Sequence, residues 1–96
     1  MLDPDIVLRE DRGSGTILEV RGAENVARRA RAASQLGLVV RPALVNGVAG
    51  WVSLLGGEAF AVGALTVQDG WITTMDILLD PARLARLDLT ALDTRR

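Results

Sequence analysis

Asp76 is the residue whose position in the sequence most directly suggests acid–base chemistry. It lies within an apolar, β-rich run, Thr-Met-Asp-Ile-Leu-Leu at 74–79. A carboxylate buried in such a strand is costly unless it has a partner, and burial raises its pKa towards values suited to proton transfer. The alternative is that Asp76 pairs with an arginine across the sheet or faces water. The sequence leaves both interpretations open, so Asp76 is a candidate catalytic residue.

A glycine-rich segment, Asp-Arg-Gly-Ser-Gly at 11–15, is a candidate binding loop. Successive backbone N–H groups can converge on an anion where glycines relax the backbone. The spacing matches neither a Walker phosphate-binding loop nor a dinucleotide-binding fingerprint. Asp11, Gly13 and Gly15 are therefore candidate binding residues, and a plain flexible loop is the alternative.

The three aromatic residues, Trp51, Phe60 and Trp71, are candidates for contact with a ligand or a partner. Large rings bury much apolar area, so they anchor a core or an interface, and a ligand can stack on them. Trp71 directly follows an Asp-Gly turn at 69–70, which favours partial exposure and contact with a partner. The sequence does not separate these roles.

The composition of the whole chain narrows the chemistry further. The 96 residues include no Cys, His or Tyr, which removes disulfides, thiolate nucleophiles, the commonest general base and most zinc sites. We therefore expect no metal and no cofactor. Eleven basic and twelve acidic residues give a net charge of −1, which is not typical of a nucleic-acid-binding protein.

The hydropathy pattern argues against a membrane protein. The chain opens on acidic residues and has no basic segment followed by an apolar one. Its longest apolar run, at 59–67, is far shorter than the roughly 20 residues that span a bilayer. We expect a cytoplasmic protein that contacts no membrane.

Four β-rich runs in the second half of the chain must position the candidate residues. They are separated by Asn-Gly, Gly-Gly and Asp-Gly pairs, each typical of a two-residue hairpin turn. The pattern therefore predicts an up-and-down antiparallel meander. Pro42 indicates an edge or a bulge, and Gly50 and Gly63 indicate bends in a curved sheet. The predicted strands are 38–45, 48–55, 58–68 and 71–79.

The first half of the chain predicts two short strands and the main helix. The strands are expected at 6–8 and 16–21, and the helix at 23–35, between Gly22 and Gly37. This helix would cover the concave side of the sheet. Its apolar stripe is Val26, Ala27, Ala30, Ala33 and Leu36, with Arg28, Arg29 and Arg31 on or beside the solvent side. Asp80 and Pro81 predict a short second helix at 82–87.

Several segments together resemble a known family. They read Pro-Ala-Leu-Val-Asn-Gly-Val-Ala-Gly at 42–50, Asp-Gly-Trp-Ile at 69–72, Met-Asp-Ile at 75–77 and Asp-Pro-Ala-Arg-Leu at 80–84. This succession resembles the SnoaL-like C-terminal domain of actinobacterial extracytoplasmic-function sigma factors. The resemblance runs from about residue 2 to about residue 92. It implies the α+β fold of the nuclear-transport-factor-2-like superfamily, a cone that here lacks its N-terminal helices.

The resemblance also implies where a partner would bind. In that family an Asp-Gly-Gly-Gly-Lys loop and an Asn-Pro-Asp-Lys-Leu segment are associated with control of the sigma-factor core. The matching segments lie at 11–15 and 80–84, which implies contacts with a sigma-factor core or RNA polymerase. Related members of the superfamily include polyketide cyclases and isomerases that use a buried Asp, which Asp76 resembles by placement. The implied binding residues of the second segment are Asp80, Pro81, Arg83 and Leu84.

These observations predict one α+β domain that binds or regulates and does not catalyse. We expect residues 1–96 to form this domain, with a core at about 4–88 and a tail at 89–96. The expected partners are a second copy of the chain, packed through the sheet with Trp51 or Trp71 in the contact, and a protein or a small apolar ligand. The alternative is a small isomerase-like or cyclase-like enzyme that uses Asp76 as its acid–base.

Overall fold

The computed structural model of the chain describes residues 1–45 and 47–86. Within these residues the chain forms six strands and two helices. They are β1 Leu2–Asp11, β2 Ile17–Arg21, α1 Ala23–Ser34, β3 Val39–Val45, β4 Val48–Leu55, β5 Glu58–Gln68, β6 Trp71–Leu78 and α2 Pro81–Leu84.

The strands form one sheet in the order β2-β1-β6-β5-β4-β3. The four strands from β3 to β6 pair antiparallel with their neighbours in sequence, which confirms the predicted meander. The first strand is longer than the predicted 6–8, because β1 lies parallel to β6 and is paired along most of its length. At the far end of this pairing, the N–H of Leu79 donates to the carbonyl oxygen of Asp11 at 2.7 Å.

The hairpin turns have the backbone conformation that their residues predict. In the turn between β5 and β6, Asp69 has φ 53° and Gly70 has φ 83°. Positive φ at both central residues gives a turn whose twist matches that of the flanking strands. The turn before β4 has Gly47 at φ 79°, and Asn46 lies outside the described residues.

Strand β3 lies at the edge of the sheet, as Pro42 predicted, because among the described strands it pairs only with β4. The two interior glycines that were predicted to mark bends each leave room for a neighbouring group. A Cβ atom on Gly50 would overlap the carbonyl oxygen of Gly63 on the neighbouring strand. Gly50 therefore permits a close approach of two backbones within the sheet.

Helix α1 packs across one face of the sheet. Val26 contacts Ile6 and Leu8 of β1, and all three side chains are buried. The helix ends at Ser34, one residue before the predicted end, so Leu36 lies beyond it and is exposed.

Helix α2 packs against the sheet where β6 ends. Asp80 caps it, since the N–H of Ala82 donates to its Oδ1 at 3.2 Å, and Leu84 packs against Val52 and Val62. The predicted end of this helix at Leu87, and the predicted tail at 89–96, lie outside the described residues. Neither α1 nor α2 is long and apolar enough to cross a membrane.

Candidate functional site

An open cavity of about 1030 Å³ lies between α1 and the strands that α1 partly covers. The helix contributes small side chains on this side, so it leaves a space above the middle of the sheet. The lining is mainly apolar and includes Val26, Ala33, Trp51, Phe60, Leu65 and Met75.

Trp51 forms part of the floor of this cavity. It lies directly opposite Gly63 in the pairing of β4 with β5. A Cβ atom on Gly63 would overlap the six-membered ring of the Trp51 indole, so the ring lies against the bare backbone of the glycine. Because Gly63 has no side chain, the ring of Trp51 has room to lie inside the cavity, where it presents an aromatic surface.

The other two aromatic residues lie in different surroundings. Phe60 lines the cavity and is 37% exposed, which places it where a ligand could reach it. Trp71 is 39% exposed and is not among the lining residues. Only two of the three candidate aromatics therefore share one site.

A buried carboxylate that the sequence analysis did not single out lies at one end of the cavity. Glu10 is 6% exposed and accepts two hydrogen bonds from Arg29, from Nε to Oε2 at 2.5 Å and from Nη2 to Oε1 at 2.7 Å. Arg12 adds a third, from Nη2 to Oε1 at 3.0 Å. The bonds from Arg29 hold the pKa of Glu10 below its usual value, against the opposing effect of burial.

Arg29 corrects the prediction that the three helix arginines lie on or beside the solvent side. Its side chain is 36% exposed and turns from α1 towards the buried carboxylate of Glu10. The hydrogen bonds with Glu10 raise the pKa of Arg29 above its usual value. Arg28 and Arg31 are exposed, as the helical pattern predicts.

Asp76 is not buried, which corrects the premise of the catalytic prediction. Its side chain is 52% exposed, and Nη1 of Arg9 lies 3.5 Å from its Oδ1. Its neighbours Met75 and Ile77 line the cavity, and successive side chains of a strand point to opposite faces. The structure thus fits the alternative interpretation, in which Asp76 pairs with an arginine across the sheet.

The two segments singled out by the family resemblance meet at one end of the sheet. Arg83 of α2 donates from Nη1 to Oδ2 of Asp11 at 3.0 Å. A Cβ atom on Gly13 would lie 2.5 Å from Cγ of Asp80, so the loop passes close to the capping carboxylate. We call the surface formed by residues 11–15 and 80–84 the junction surface.

Within the junction surface the loop binds its own carboxylate. The N–H of Gly13 donates to Oδ1 of Asp11 at 2.9 Å, and this bond, with that from Arg83, lowers the pKa of Asp11. The N–H of Gly13, which was predicted to help hold an external anion, therefore already donates to Asp11. Gly15 has φ 85° and no atom close to the position of an added Cβ.

Two further features bear on the chemistry of the site. Within residues 1–45 and 47–86, no group of three or more acidic side chains is arranged to hold a metal ion. All side-chain polar atoms that are buried in this part of the chain have a hydrogen-bond partner. The described site therefore offers apolar surface and one charge cluster whose buried polar atoms all have hydrogen-bond partners.

Comparison with solved structures shows related folds. The chain is similar to the extracytoplasmic-function sigma factor SigJ of Mycobacterium tuberculosis, with a TM-score of 0.70 and 27% identity over 93% of this chain and 37% of the other. A Sinorhizobium meliloti protein assigned as a polyketide cyclase gives a TM-score of 0.55 and 24% identity over 80% of this chain and 74% of the other.

A protein from the de novo design of proteins with diverse pocket structures gives a TM-score of 0.53 and 22% identity over 82% of this chain and 78% of the other. No family model and no curated protein matches the sequence. The chain spans 37% of the length of SigJ. The predicted fold is confirmed: the chain has the SnoaL-like, nuclear-transport-factor-2-like fold and is similar along nearly its whole length to part of an extracytoplasmic-function sigma factor.

Proposed function

We propose that the chain is a non-catalytic binding module whose cavity holds a small, mainly apolar ligand. The observation that carries this proposal is the open cavity of about 1030 Å³ with its apolar lining. Cavities of this size and polarity bind small molecules, with a few polar groups that orient the ligand. Trp51 and Phe60 supply the aromatic surface for such contacts.

The charged groups of the cavity favour binding over turnover. A general acid or base works best when its pKa lies near the operating pH and when it can reach the substrate. Glu10 has a lowered pKa, and both of its oxygens already accept hydrogen bonds from arginines. Asp76, the predicted acid–base, points away from the cavity, so the enzyme alternative has less support.

Binding of a neutral apolar probe, N-phenyl-1-naphthylamine, tests the proposal. We expect the fluorescence of the probe to rise on binding to the folded chain. Ala33→Phe places a ring in the cavity and should weaken binding by about fivefold or more. Arg31→Phe adds the same ring to an exposed position of α1 and should leave binding unchanged. Equal binding by both variants, or no binding by the folded wild type, would contradict the proposal.

The junction surface is the region that we expect to meet a protein partner. The similarity to a sigma factor supports this assignment, because the two segments that resemble the family motifs come together there. By that resemblance the partner is a sigma-factor core or RNA polymerase. We therefore place the chain in the cytoplasm, where these proteins act. Arg83 is the exposed charge through which α2 would make the contact.

We also expect the chain to pair with a second copy of itself. No other strand of the described residues pairs with the outer edge of β3, which has exposed apolar side chains at Val39, Val40 and Leu44. Two copies of β3 can pair antiparallel about a two-fold axis. This differs from a contact through Trp51, whose ring lies in the cavity.

Sedimentation measures both associations. The chain alone at micromolar concentration should sediment as a dimer, and Leu44→Lys should shift it towards the monomer. With RNA polymerase added, Arg83→Ala should weaken co-sedimentation by about fivefold, while Arg31→Ala, which removes the same charge from an exposed position of α1, should not. A monomeric wild type would exclude the dimer, and equal losses for the two arginine variants would exclude the junction surface.

A further inference from the structure

The charge of the cavity is concentrated at one end. Among the lining residues that the structure describes, the ionisable ones are Glu10, Arg12 and Arg29. One carboxylate against two guanidinium groups leaves one positive charge. The other polar side-chain groups in the described lining are the hydroxyls of Ser34 and Ser53 and the indole N–H of Trp51. The cavity therefore has an apolar body and a cationic end.

The two arginines at this end are not equivalent. Arg29 donates hydrogen bonds from Nε and Nη2 to the two carboxylate oxygens of Glu10. This paired contact neutralises the charge of the carboxylate. Towards the residues that the structure describes, Arg12 donates only from Nη2, and its side chain is 58% exposed. A guanidinium group has five N–H donors in a planar fork that matches a carboxylate. Arg12, which lines the cavity, thus has donors that no residue in the described part of the chain accepts.

We infer that the ligand of the cavity is an amphipathic monocarboxylate whose head group binds Arg12. This inference rests on the proposed function and specifies the chemical class of its ligand. The hydrocarbon or aryl part lies against the apolar lining near Trp51, while the carboxylate accepts hydrogen bonds from the guanidinium of Arg12. The ligand then compensates the one positive charge that Glu10 leaves unmatched.

The same charge balance disfavours other head groups. A cationic head group would meet an excess of positive charge at the only charged end of the described lining. A dianion such as a phosphate monoester would leave one negative charge unmatched in a partly desolvated site, which is costly. A neutral head group can accept from the guanidinium but brings no opposite charge, so it binds there less strongly than a carboxylate. A single negative charge on an apolar body is the class that fits.

Octanoate and octanamide test the inference, because they differ in head-group charge and share a chain length. Trp71→Phe leaves Trp51 as the only tryptophan, so its emission reports occupation of the cavity. We expect octanoate to bind about fivefold more tightly than octanamide. The preference should decrease as salt is raised, because salt screens the exposed charge of Arg12.

Variants of Arg12 test whether this residue causes the preference for octanoate over octanamide. In the same background, Arg12→Gln should remove the preference for octanoate and leave the affinity for octanamide within about twofold. Arg12→Lys keeps the charge and should retain part of the preference. Arg28→Gln removes the same charge from an exposed position of α1 outside the cavity and should retain all of it.

The outcomes separate this inference from the proposed function. If the two ligands bind wild type equally, or if Arg12→Gln keeps the preference, the inference is wrong and the apolar cavity still binds ligands. If neither ligand changes the emission of Trp51 in the folded chain, and the neutral naphthylamine probe also fails to bind, the proposed function fails and the inference fails with it.

Discussion

Gly50→Ala should lower the free energy of unfolding by at least about 2 kcal/mol, although it adds only one methyl group. The added Cβ atom would overlap the backbone carbonyl oxygen of Gly63 on β5. A flexible side chain could move aside, but a carbonyl group in the middle of a ladder cannot move without breaking the pairing of β4 with β5. The expected loss therefore comes from strain in the sheet itself.

Urea unfolding followed by circular dichroism measures this loss. Gly57→Ala is the matched control, because Gly57 has φ 85° and open space around the position of an added Cβ. It should lower the free energy of unfolding by about 1 kcal/mol, because alanine is strained in a left-handed conformation. If Gly50→Ala is as stable as Gly57→Ala or more stable, the inferred close approach of β4 and β5 is wrong.

The strands of the meander could be predicted to within one residue. The reason is local: an Asp-Gly or Gly-Gly pair fixes a two-residue turn, and a two-residue turn fixes where both strands begin and end. Gly56 and Gly57 thus determine the ends of β4 and β5, and Asp69 and Gly70 determine those of β5 and β6. No information from distant parts of the chain was needed.

The position of β1 could not be predicted in the same way. Its apolar pattern is clear only at 6–8, and apart from Leu2 and Pro4 the rest of Leu2–Asp11 is charged. These residues are extended because β6 supplies a parallel partner more than sixty positions later in the chain. Pairing at such a distance leaves no local signal, so the sequence indicated the strand but neither its length nor its direction.

The sequence analysis left two interpretations of Asp76 open and did not single out Glu10, although the sequence carried a usable signal for both. Asp76 lies between Met75 and Ile77, and both of these line the cavity, so alternation along the strand places Asp76 on the other face. The same alternation along β1 places Glu10 on the face of Leu8. An acidic residue at an inward position of a strand requires a cationic partner, and α1 supplies it.

The family resemblance contributed what no local pattern could. The segments at 11–15 and 80–84 are separated by most of the chain, and nothing in their composition indicates that they touch. Their contact through Asp11 and Arg83 depends on β1 and β6 being neighbours in the sheet. The parallel pairing that local patterns missed is therefore the feature that assembles the junction surface.

Glu10→Gln should lower the free energy of unfolding by about 2 kcal/mol at neutral pH. Glutamine keeps the shape of the side chain and removes its charge, so the paired contact with Arg29 loses most of its strength. The loss stays below that of a fully buried ion pair, because the side chain of Arg29 is 36% exposed and can be hydrated. Glu19→Gln is the matched control: it removes an exposed partner of Arg21, so it should cost less than about 1 kcal/mol.

The pH dependence gives the sharper test of this ion pair. The pKa of Glu10 in the folded chain is lower than its ordinary value of 4.5, so folding favours the ionised form. Its contribution is fully present above the unfolded pKa and is lost as pH falls through the folded pKa. The difference in stability between wild type and Glu10→Gln should therefore be constant from about pH 6 to pH 8 and should shrink below about pH 4.5. Because all other carboxylates are the same in both proteins, the difference isolates Glu10. A difference that does not change between neutral and acidic pH would show that Glu10 contributes through its shape and not through its charge.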